Sequence, residues 1–284
     1  MMHYGEGMNT IETATLPVHG AELYFEIRGA GPTLLISQSG EGDARRSEDL
    51  VRHLERDFTV VTYDRRGLSR SRIHDESLPP SIATHAEDVH RLLTAVSDGP
   101  VAMLGCSMGA SIGMHLALTH PEQLRTLIAH EPVSPWLLGA TERAEHATEL
   151  AHCQEVFRAD GWRAALAPMA RTLGIDPAGQ EIEPGVRRAS ITEERAANFG
   201  YFIAQDFTAA REDSLDVELL RRSAVRIVPA SGRTTPVHVF DRKCAYELAA
   251  LRGVEVEVFP GGHNGNLTHP VAYAERVRAV LAES

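Results

Sequence analysis

Short apolar runs alternate with amphipathic stretches along most of the chain. The apolar runs are bounded by glycine, proline and polar residues, and we predict strands at residues 13–18, 22–27, 33–37, 58–63, 101–104, 124–129, 225–228 and 254–259. Between the strands, apolar residues recur at helical spacing, for example at positions 89, 92, 93 and 96. Helices are likewise predicted near residues 50–54 and at 107–119, 239–251 and 272–281. Strands that alternate with helices form right-handed βαβ units, so the pattern predicts an α/β fold with a mostly parallel sheet.

The alternation stops at residue 132 and resumes at about residue 223. The segment between them contains helical stretches separated by glycine and proline, without a clear strand pattern. We therefore predict an α/β core made of residues 10–131 and 223–284, with a helical lid at 132–222 inserted into it. The aromatic residues of this lid either line an apolar pocket or form the lid's own core. They are Trp136, Phe157, Trp162, Phe199, Tyr201, Phe202 and Phe207.

Composition excludes several classes of protein. With 284 residues, 43% of them hydrophobic and 24% charged, the chain is able to bury a large core, which excludes a disordered chain. The net charge of −11 repels phosphate backbones, so we expect no nucleic-acid partner. No apolar run approaches the ~20 residues that span a bilayer, and the first residues lack a signal-peptide pattern. The three cysteines stand far apart, which favours a reducing compartment, and we predict a cytoplasmic protein without a membrane partner.

The strongest chemical signal is the G-x-S-x-G sequence at residues 105–109, Gly-Cys-Ser-Met-Gly. It follows a predicted strand and opens a predicted helix, which is the setting of a nucleophile elbow, so Ser107 is the predicted nucleophile. The tight turn would lift the hydroxyl to the carboxyl end of the sheet, where backbone N–H groups and the helix dipole favour developing negative charge. We expect the neighbouring thiol of Cys106 to be buried and inert.

A serine hydroxyl needs a base, and the best candidate among the 14 histidines is His263. It belongs to the Pro-Gly-Gly-His sequence just after the last predicted strand, on a loop able to carry the imidazole over the end of the sheet. The sequence contains no H-E-x-x-H, no phosphate-binding P-loop and no G-x-G-x-x-G after a strand. We therefore expect no metal and no cofactor.

These motifs give the chain a resemblance to the α/β-hydrolase superfamily, over essentially residue 13 to the C-terminus. The matching pieces are the elbow, the Pro-Gly-Gly-His sequence and the loop at 64–71, Asp-Arg-Arg-Gly-Leu-Ser-Arg-Ser, after the fourth strand. The resemblance implies the α/β-hydrolase fold, a mostly parallel eight-stranded sheet with helices on both faces and a helical lid inserted after strand 6. It also implies that the 64–71 loop belongs to the scaffold.

The acidic residue departs from the usual family pattern. Members of this superfamily commonly place it just after the seventh strand, but residues 227–235 contain no carboxylate here. The end of the sixth strand reads Ala-His-Glu-Pro at 129–132 and resembles zearalenone lactonase-type hydrolases, in which this glutamate is the acid. The resemblance thus implies that Glu131 orients His263, as a catalytic imidazole requires. Two alternatives stay open: Glu131 is a hinge residue entering the lid, or Asp241, on a predicted helix, is the acid.

The oxyanion-binding loop is a second departure. The family often has His-Gly after the third strand, whereas residues 37–43 read Ser-Gln-Ser-Gly-Glu-Gly-Asp. Alignment of the turn assigns one N–H donor to Gly40, with Ser39 as the alternative, and the Met108 N–H would supply the second donor. Side-chain donation by Ser39 or Gln38 is a further alternative. The acidic residues at 41–43 are interpreted as a solvated loop.

The combined prediction is a cofactor-free serine hydrolase that cleaves a carboxylic ester or lactone through Ser107, His263 and Glu131 and an acyl-enzyme. Met108 and Gly40 would hold the oxyanion, and the expected substrate is a small apolar ester or lactone. An acyltransferase or a thioesterase would use the same triad. The alternative from another class is a ligand sensor that only binds a small molecule in a hydrolase-like shell. The oligomeric state stays open.

Overall fold

A sheet of eight strands, extended by one two-residue strand, forms the centre of the protein. The computed structural model describes residues 11–77, 79–187 and 190–283, so residues 10, 78 and 284 of the predicted core and residues 188–189 of the predicted lid lie outside the described residues. The two-residue strand is Arg72–Ile73, which pairs with the second of the eight strands. The eight strands are β1 Glu12–Val18, β2 Ala21–Arg28, β3 Thr33–Ser37, β4 Thr59–Tyr63, β5 Val101–Cys106, β6 Leu124–His130, β7 Arg226–Gly232 and β8 Glu257–Phe259.

The strand order is β1-β2-β4-β3-β5-β6-β7-β8. β1 and β2 form an antiparallel hairpin and β2 runs antiparallel to β4, whereas every pair from β4 to β8 is parallel. The mostly parallel sheet predicted from the alternation is therefore confirmed. The chain leaves β3 towards β4 on one side and later returns to place β5 on the other. The carboxyl ends of β3 and β5 thus border a topological switch point, which is where open α/β sheets bind ligands.

Helices cover both faces of the sheet. One face carries α2 Ile82–Val96, α3 Met108–Thr119 and α8 Phe240–Arg252, which share a buried cluster with Leu35 of β3. The other face carries α1 Glu48–Leu54 and α10 Pro270–Ala282, which share a second cluster with Leu34. Neighbouring residues of a strand point to opposite faces, which is why Leu34 and Leu35 lie in different clusters. A short helix, α9 Gly265–Thr268, precedes α10.

Helices also fill the segment between β6 and β7. In the described part of 132–222 they are α4 Ala140–Thr172, α5 Glu193–Tyr201, α6 Phe207–Glu212 and α7 Val217–Arg222. α4 is interrupted at Gly161, where φ is 80° and ψ is 178°, a conformation that only glycine adopts readily. A π-helical turn, Phe202–Asp206, links α5 to α6. The helical character matches the sequence pattern, while the division of the chain into core and lid stays a prediction.

The last strand is shorter than predicted. It begins at Glu257 and not at residue 254, because Gly253 ends α8 in the left-handed conformation with φ 67°. The Val254 N–H then donates back to Ala249 O of the helix, at 3.1 Å, which is a helix-terminating hydrogen bond. The apolar pattern at 254–259 does not reveal that its first part completes the preceding helix.

A buried ion pair joins the predicted lid at residues 132–222, the lid segment, to the predicted core. Arg65, in the loop after β4, donates to the carboxylate of Asp206 in the π-helical turn, and both side chains are at most 2% exposed. Nε2 of His85, on α2, lies 3.3 Å from the other oxygen of Asp206. Burial raises the pKa of Asp206, but the charge of Arg65 and the contact with His85 outweigh burial, so the pKa is lowered and the carboxylate stays ionised.

Removing this carboxylate should destabilise the fold. Asp206→Ala leaves the Arg65 guanidinium buried without its partner, so the free energy of unfolding should fall by about 3–5 kcal/mol, measured by urea denaturation. Asp98→Ala, at an exposed position, is the control and should change it by less than ~0.5 kcal/mol. A loss below ~1 kcal/mol for Asp206→Ala would show that this pair does not hold the lid segment on the core.

Candidate active site

Ser107 lies in a strained turn between β5 and α3. Its backbone has φ 54° and ψ −114°, which residues with a side chain rarely adopt, and its N–H donates to His130 O at 2.8 Å. A Cβ at Gly105 would lie 2.5 Å from Gly109 O, and a Cβ at Gly109 would overlap Ser37 O of β3. The two glycines of the motif are therefore required because β5, α3 and β3 approach closely around this turn.

His263 lies on the loop after β8, at the same edge of the sheet. Its Nδ1 lies 2.8 Å from Oε2 of Glu131, and its Nε2 has no hydrogen-bond partner among the described residues. Ser107 and His263 both line one cavity of about 560 Å³. The three residues predicted from the sequence, Ser107, His263 and Glu131, thus come together in one place.

The Glu131 carboxylate is fully buried and takes part in three hydrogen bonds. The residue follows β6 with a positive φ of 45°. Its Oε1 accepts from Ser231 Oγ and from the Gly232 N–H, both at 2.9 Å, while Oε2 faces His263. Ser231 and Gly232 end β7, the strand after which the sequence has no carboxylate. The end of β7 therefore supplies hydrogen-bond donors to a carboxylate from β6.

Burial and charge act in opposite directions on this pair. Burial raises the pKa of Glu131, but the hydrogen bond with His263 and the neighbouring histidine charges outweigh burial, and the pKa is lowered. Burial lowers the pKa of His263, but the hydrogen bond and charge of Glu131 and the charge of Asp241 outweigh burial, and the pKa is raised. An ionised carboxylate beside an imidazole that protonates readily is the arrangement that general-base chemistry needs.

Asp241, the alternative acid, lies near the other nitrogen of the same imidazole. It is the second residue of α8 and is buried, and its Oδ2 is 3.9 Å from His263 Nε2, beyond hydrogen-bond distance. Its Oδ1 lies 3.1 Å from Nε2 of His146, on α4 of the lid segment. Two carboxylates therefore flank the imidazole, and it is Glu131 that contacts Nδ1.

The oxyanion candidates Gly40 and Met108 lie at the ends of adjacent strands. Met108 begins α3, so its N–H has no acceptor within the helix, and Gly40 follows β3 and lines the cavity. Arg65 donates to Ser39 O at 3.0 Å and to Gly40 O at 2.9 Å. Because C=O and N–H of a trans peptide point in opposite directions, these bonds turn the N–H groups of residues 40 and 41 away from Arg65. Arg65 belongs to the 64–71 loop, which the resemblance assigned to the scaffold. The sequence analysis did not predict its hydrogen bonds to the loop that carries Gly40 and lines the cavity.

The interpretation of residues 41–43 as a solvated loop is wrong. Glu41 accepts two hydrogen bonds from Arg195 of α5, at 2.7 and 2.9 Å, and its Oε2 also lies 3.1 Å from Arg46 Nε. Asp43 is buried and accepts from Ser69 Oγ at 2.8 Å. These partners come from distant segments of the chain, so no local sequence pattern reveals them.

Two other candidates have contacts that remove them from the cavity. Gln38 is buried and is not among the residues that line the cavity, and its Nε2 donates to Ser47 Oγ. Cys106 is buried with its Sγ 3.8 Å from the Tyr273 hydroxyl, and burial raises the pKa of the thiol to about 12. A protonated, buried thiol is a poor nucleophile.

The aromatic residues of the lid segment divide between cavity and core. Phe199 and Phe202 line the cavity, and Phe207 packs on Phe202 with ring centroids 4.7 Å apart. Trp136 is buried, and its Nε1 donates to Asp213 Oδ2 at 2.9 Å. Both interpretations of the aromatic residues therefore hold in part. Most of the apolar cavity wall is aliphatic: Leu166, Met169, Leu173, Ile175, Val186 and Ile191.

Comparisons with known proteins identify the family. A family model described as the alpha/beta hydrolase fold matches residues 32–155. "Uncharacterized hydrolase YraK" from Bacillus subtilis is 33% identical over 276 residues, which cover 96% of this chain and 97% of that protein. The chain belongs to the α/β-hydrolase family. It is therefore an enzyme of hydrolytic type, and the fold implied by the elbow, the histidine loop and the 64–71 loop is confirmed.

Two further proteins show how far the similarity extends. Zearalenone hydrolase from Bionectria ochroleuca is 30% identical over 131 residues, which cover 44% of this α/β hydrolase and 48% of that protein. The crystal structure of a hydrolase from Pseudomonas aeruginosa aligns with a TM-score of 0.71 at 23% identity, covering 98% of this chain and 99% of that one. The first match is partial and the second shows the fold alone. Neither fixes the branch of the family.

Among the described residues of this α/β hydrolase, no helix combines the length and hydrophobicity needed to cross a bilayer. The cytoplasmic location stays a prediction.

Asp241→Asn should move the acid limb of the pH profile to lower pH. The Asp241 carboxylate raises the pKa of His263, and only the neutral imidazole accepts a proton, so removing the charge keeps the base neutral to a lower pH. We expect the acid limb of kcat/KM for a p-nitrophenyl ester to shift down by about one pH unit. Asp98→Asn is the exposed control. An unchanged limb, or a shift to higher pH, would contradict this role of Asp241.

Proposed function

We propose that this α/β hydrolase cleaves carboxylic esters or lactones, with Ser107 as nucleophile, His263 as general base and Glu131 as the acid that orients the imidazole. The observation that carries the proposal is the 2.8 Å contact between Glu131 Oε2 and His263 Nδ1, beside the cavity that His263 shares with Ser107. An Nδ1–H that donates to a carboxylate leaves Nε2 unprotonated. That tautomer is the one able to accept a proton from a serine hydroxyl.

The proposed reaction has two halves. As Ser107 Oγ attacks the carbonyl carbon, His263 Nε2 takes its proton, and Glu131 stabilises the imidazolium that forms. The N–H groups of Met108 and Gly40 hold the tetrahedral oxyanion. The imidazolium then protonates the leaving alcohol, and the acyl group remains on Ser107 Oγ. Water attacks the acyl-enzyme with His263 again as base, which releases the acid and restores the serine. Side chains and water carry every proton in this scheme.

The cavity wall supports a substrate with a sizeable apolar part. Aliphatic side chains of the lid segment together with Phe199 and Phe202 line a volume of about 560 Å³, which suits a small ester or lactone. Burial of the substrate's hydrocarbon against these side chains supplies binding energy at roughly 25 cal/mol per Å². The partial similarity to zearalenone hydrolase supports testing lactones alongside esters.

Ser107→Ala should lower kcat/KM for p-nitrophenyl butyrate by at least ~10³-fold, because the attacking oxygen is lost. The free energy of unfolding, measured by urea denaturation, should change little, since the hydroxyl faces the cavity and adds little packing. Cys106→Ala is the matched control at the neighbouring position and should keep most of the activity. A fluorophosphonate probe should add its mass to the peptide that contains Ser107.

Three results would change this proposal. Turnover by Ser107→Ala close to that of the wild type would contradict the serine mechanism. Binding of esters and lactones without any turnover by the intact protein would support a ligand sensor. Formation of a new ester with an added alcohol, in preference to hydrolysis, would indicate an acyltransferase that uses the same residues.

A further inference from the structure

Positive charge is concentrated in the cavity of an otherwise acidic protein. The chain has a net charge of −11, which repels anions from its surface in general. Among the charged residues that line the cavity, Glu48 and Asp49 both accept hydrogen bonds from Arg52, which lies outside it. The remaining charged residues of the lining are Glu41, Arg45, Arg46, Arg187 and Arg195. Counted with Arg52, five arginines therefore face three carboxylates.

Glu41 does not neutralise both of the arginines that contact it. Arg195 uses both carboxylate oxygens, with Nε 2.7 Å from Oε2 and Nη2 2.9 Å from Oε1. Arg46 reaches the same carboxylate with Nε alone, 3.1 Å from Oε2. That contact lacks hydrogen-bond geometry, the guanidinium of Arg46 makes no hydrogen bond within the described residues, and the side chain is only 19% exposed. Arg46 therefore carries a poorly compensated charge at the cavity wall.

The electrostatics of Arg46 agree with this geometry. Burial lowers the pKa of its guanidinium, Glu41 raises it, the adjacent Arg195 lowers it and Asp43 raises it, with a net lowering. A guanidinium stays protonated regardless, so an anion bound beside it would be stabilised.

The free end of Arg46 lies close to the reaction centre. Glu41 directly follows Gly40, the proposed oxyanion donor, and Arg46 contacts the side chain of Glu41. The guanidinium lies within roughly 12 Å of Gly40, which is the sum of one Cα–Cα step, the length of a glutamate side chain and one ion-pair distance. Hydrogen-bonded contacts at the two ends take up about half of that distance, and a substrate of a few carbon atoms spans the rest.

We propose that the substrate is an ester or lactone that carries a carboxylate, and that Arg46 binds this carboxylate while Ser107 attacks the carbonyl. The inference rests on the proposed function, because it names the substrate class of the same site. A carboxylate matches the planar guanidinium with two parallel hydrogen bonds. The aliphatic wall of the lid segment then holds the rest of the carbon skeleton.

Matched pairs of esters test the charge without changing the shape. One set is the mono-p-nitrophenyl esters of dicarboxylic acids with about four to eight carbons, each compared with its terminal primary amide. A second pair, 4-carboxyphenyl and 4-carbamoylphenyl butyrate, places the charge on the alcohol side. After correction for uncatalysed hydrolysis, kcat/KM of the acid should exceed that of the amide by about 10- to 100-fold in at least one pair, mainly through KM.

Variants separate binding of the carboxylate from a structural role of Arg46. Arg46→Met keeps the aliphatic stem and should lower the acid-to-amide ratio by about 10- to 100-fold, while amide esters stay within ~3-fold of the wild type. Glu41→Gln removes the shared negative charge and should raise the ratio. Arg91→Met, on α2 and away from the cavity, is the matched control and should leave the ratio unchanged. If Arg46→Met does not fold, the wild type decides: a rise from about 50 to 500 mM NaCl should lower the ratio several-fold.

The outcomes distinguish this inference from the proposed function. A ratio unchanged by Arg46→Met, a wild-type preference for the amide in every pair, or an equal loss of acid and amide turnover in Arg46→Met would overturn the inference. In each case, the proposed function stays intact if the wild type hydrolyses the amide esters and Ser107→Ala does not. If Ser107→Ala hydrolyses acid and amide esters alike, the proposed function itself fails.

Discussion

The buried carboxylate of Glu131 is the constraint on which the arrangement of the site depends. A carboxylate without exposed surface is stable in its ionised form only if its oxygens are hydrogen-bonded. Here Ser231 and Gly232 at the end of β7 bond one oxygen, and His263 after β8 bonds the other. These contacts therefore require β6, β7 and the loop after β8 to be assembled together. The fold fixes the imidazole through this carboxylate and leaves its Nε2 at the cavity.

Charged contacts also tie the lid segment to the catalytic centre. Each of three residues of the lid segment contacts a core residue that lies beside a proposed site residue. The three pairs are Asp206 with Arg65, Arg195 with Glu41, and His146 with Asp241.

The parts of the site that the sequence predicted follow from local constraints. The glycines around Ser107 fit spaces that admit no side chain, which is why the motif, placed between a strand and a helix, predicts the turn. Glu131 was predicted because the usual position after β7 lacks a carboxylate, and that position instead carries the donors for it. The mostly parallel sheet followed from the alternation of strands and helices. The contacts of Arg65 and Glu41 were missed because their partners lie far away in the chain, and the shortened β8 depends on how Gly253 ends α8.

The most direct test of the central claim is the kcat of Glu131→Gln. Glutamine is nearly isosteric and keeps an acceptor for Ser231 and Gly232, but its amide group would face His263 Nδ1 as a donor and favour the tautomer protonated on Nε2. If Glu131 orients the base, kcat for a p-nitrophenyl ester should fall by about 10³- to 10⁴-fold while the protein remains folded. A kcat within about tenfold of the wild type would contradict the account, and the orienting acid would then have to be sought elsewhere, first at Asp241.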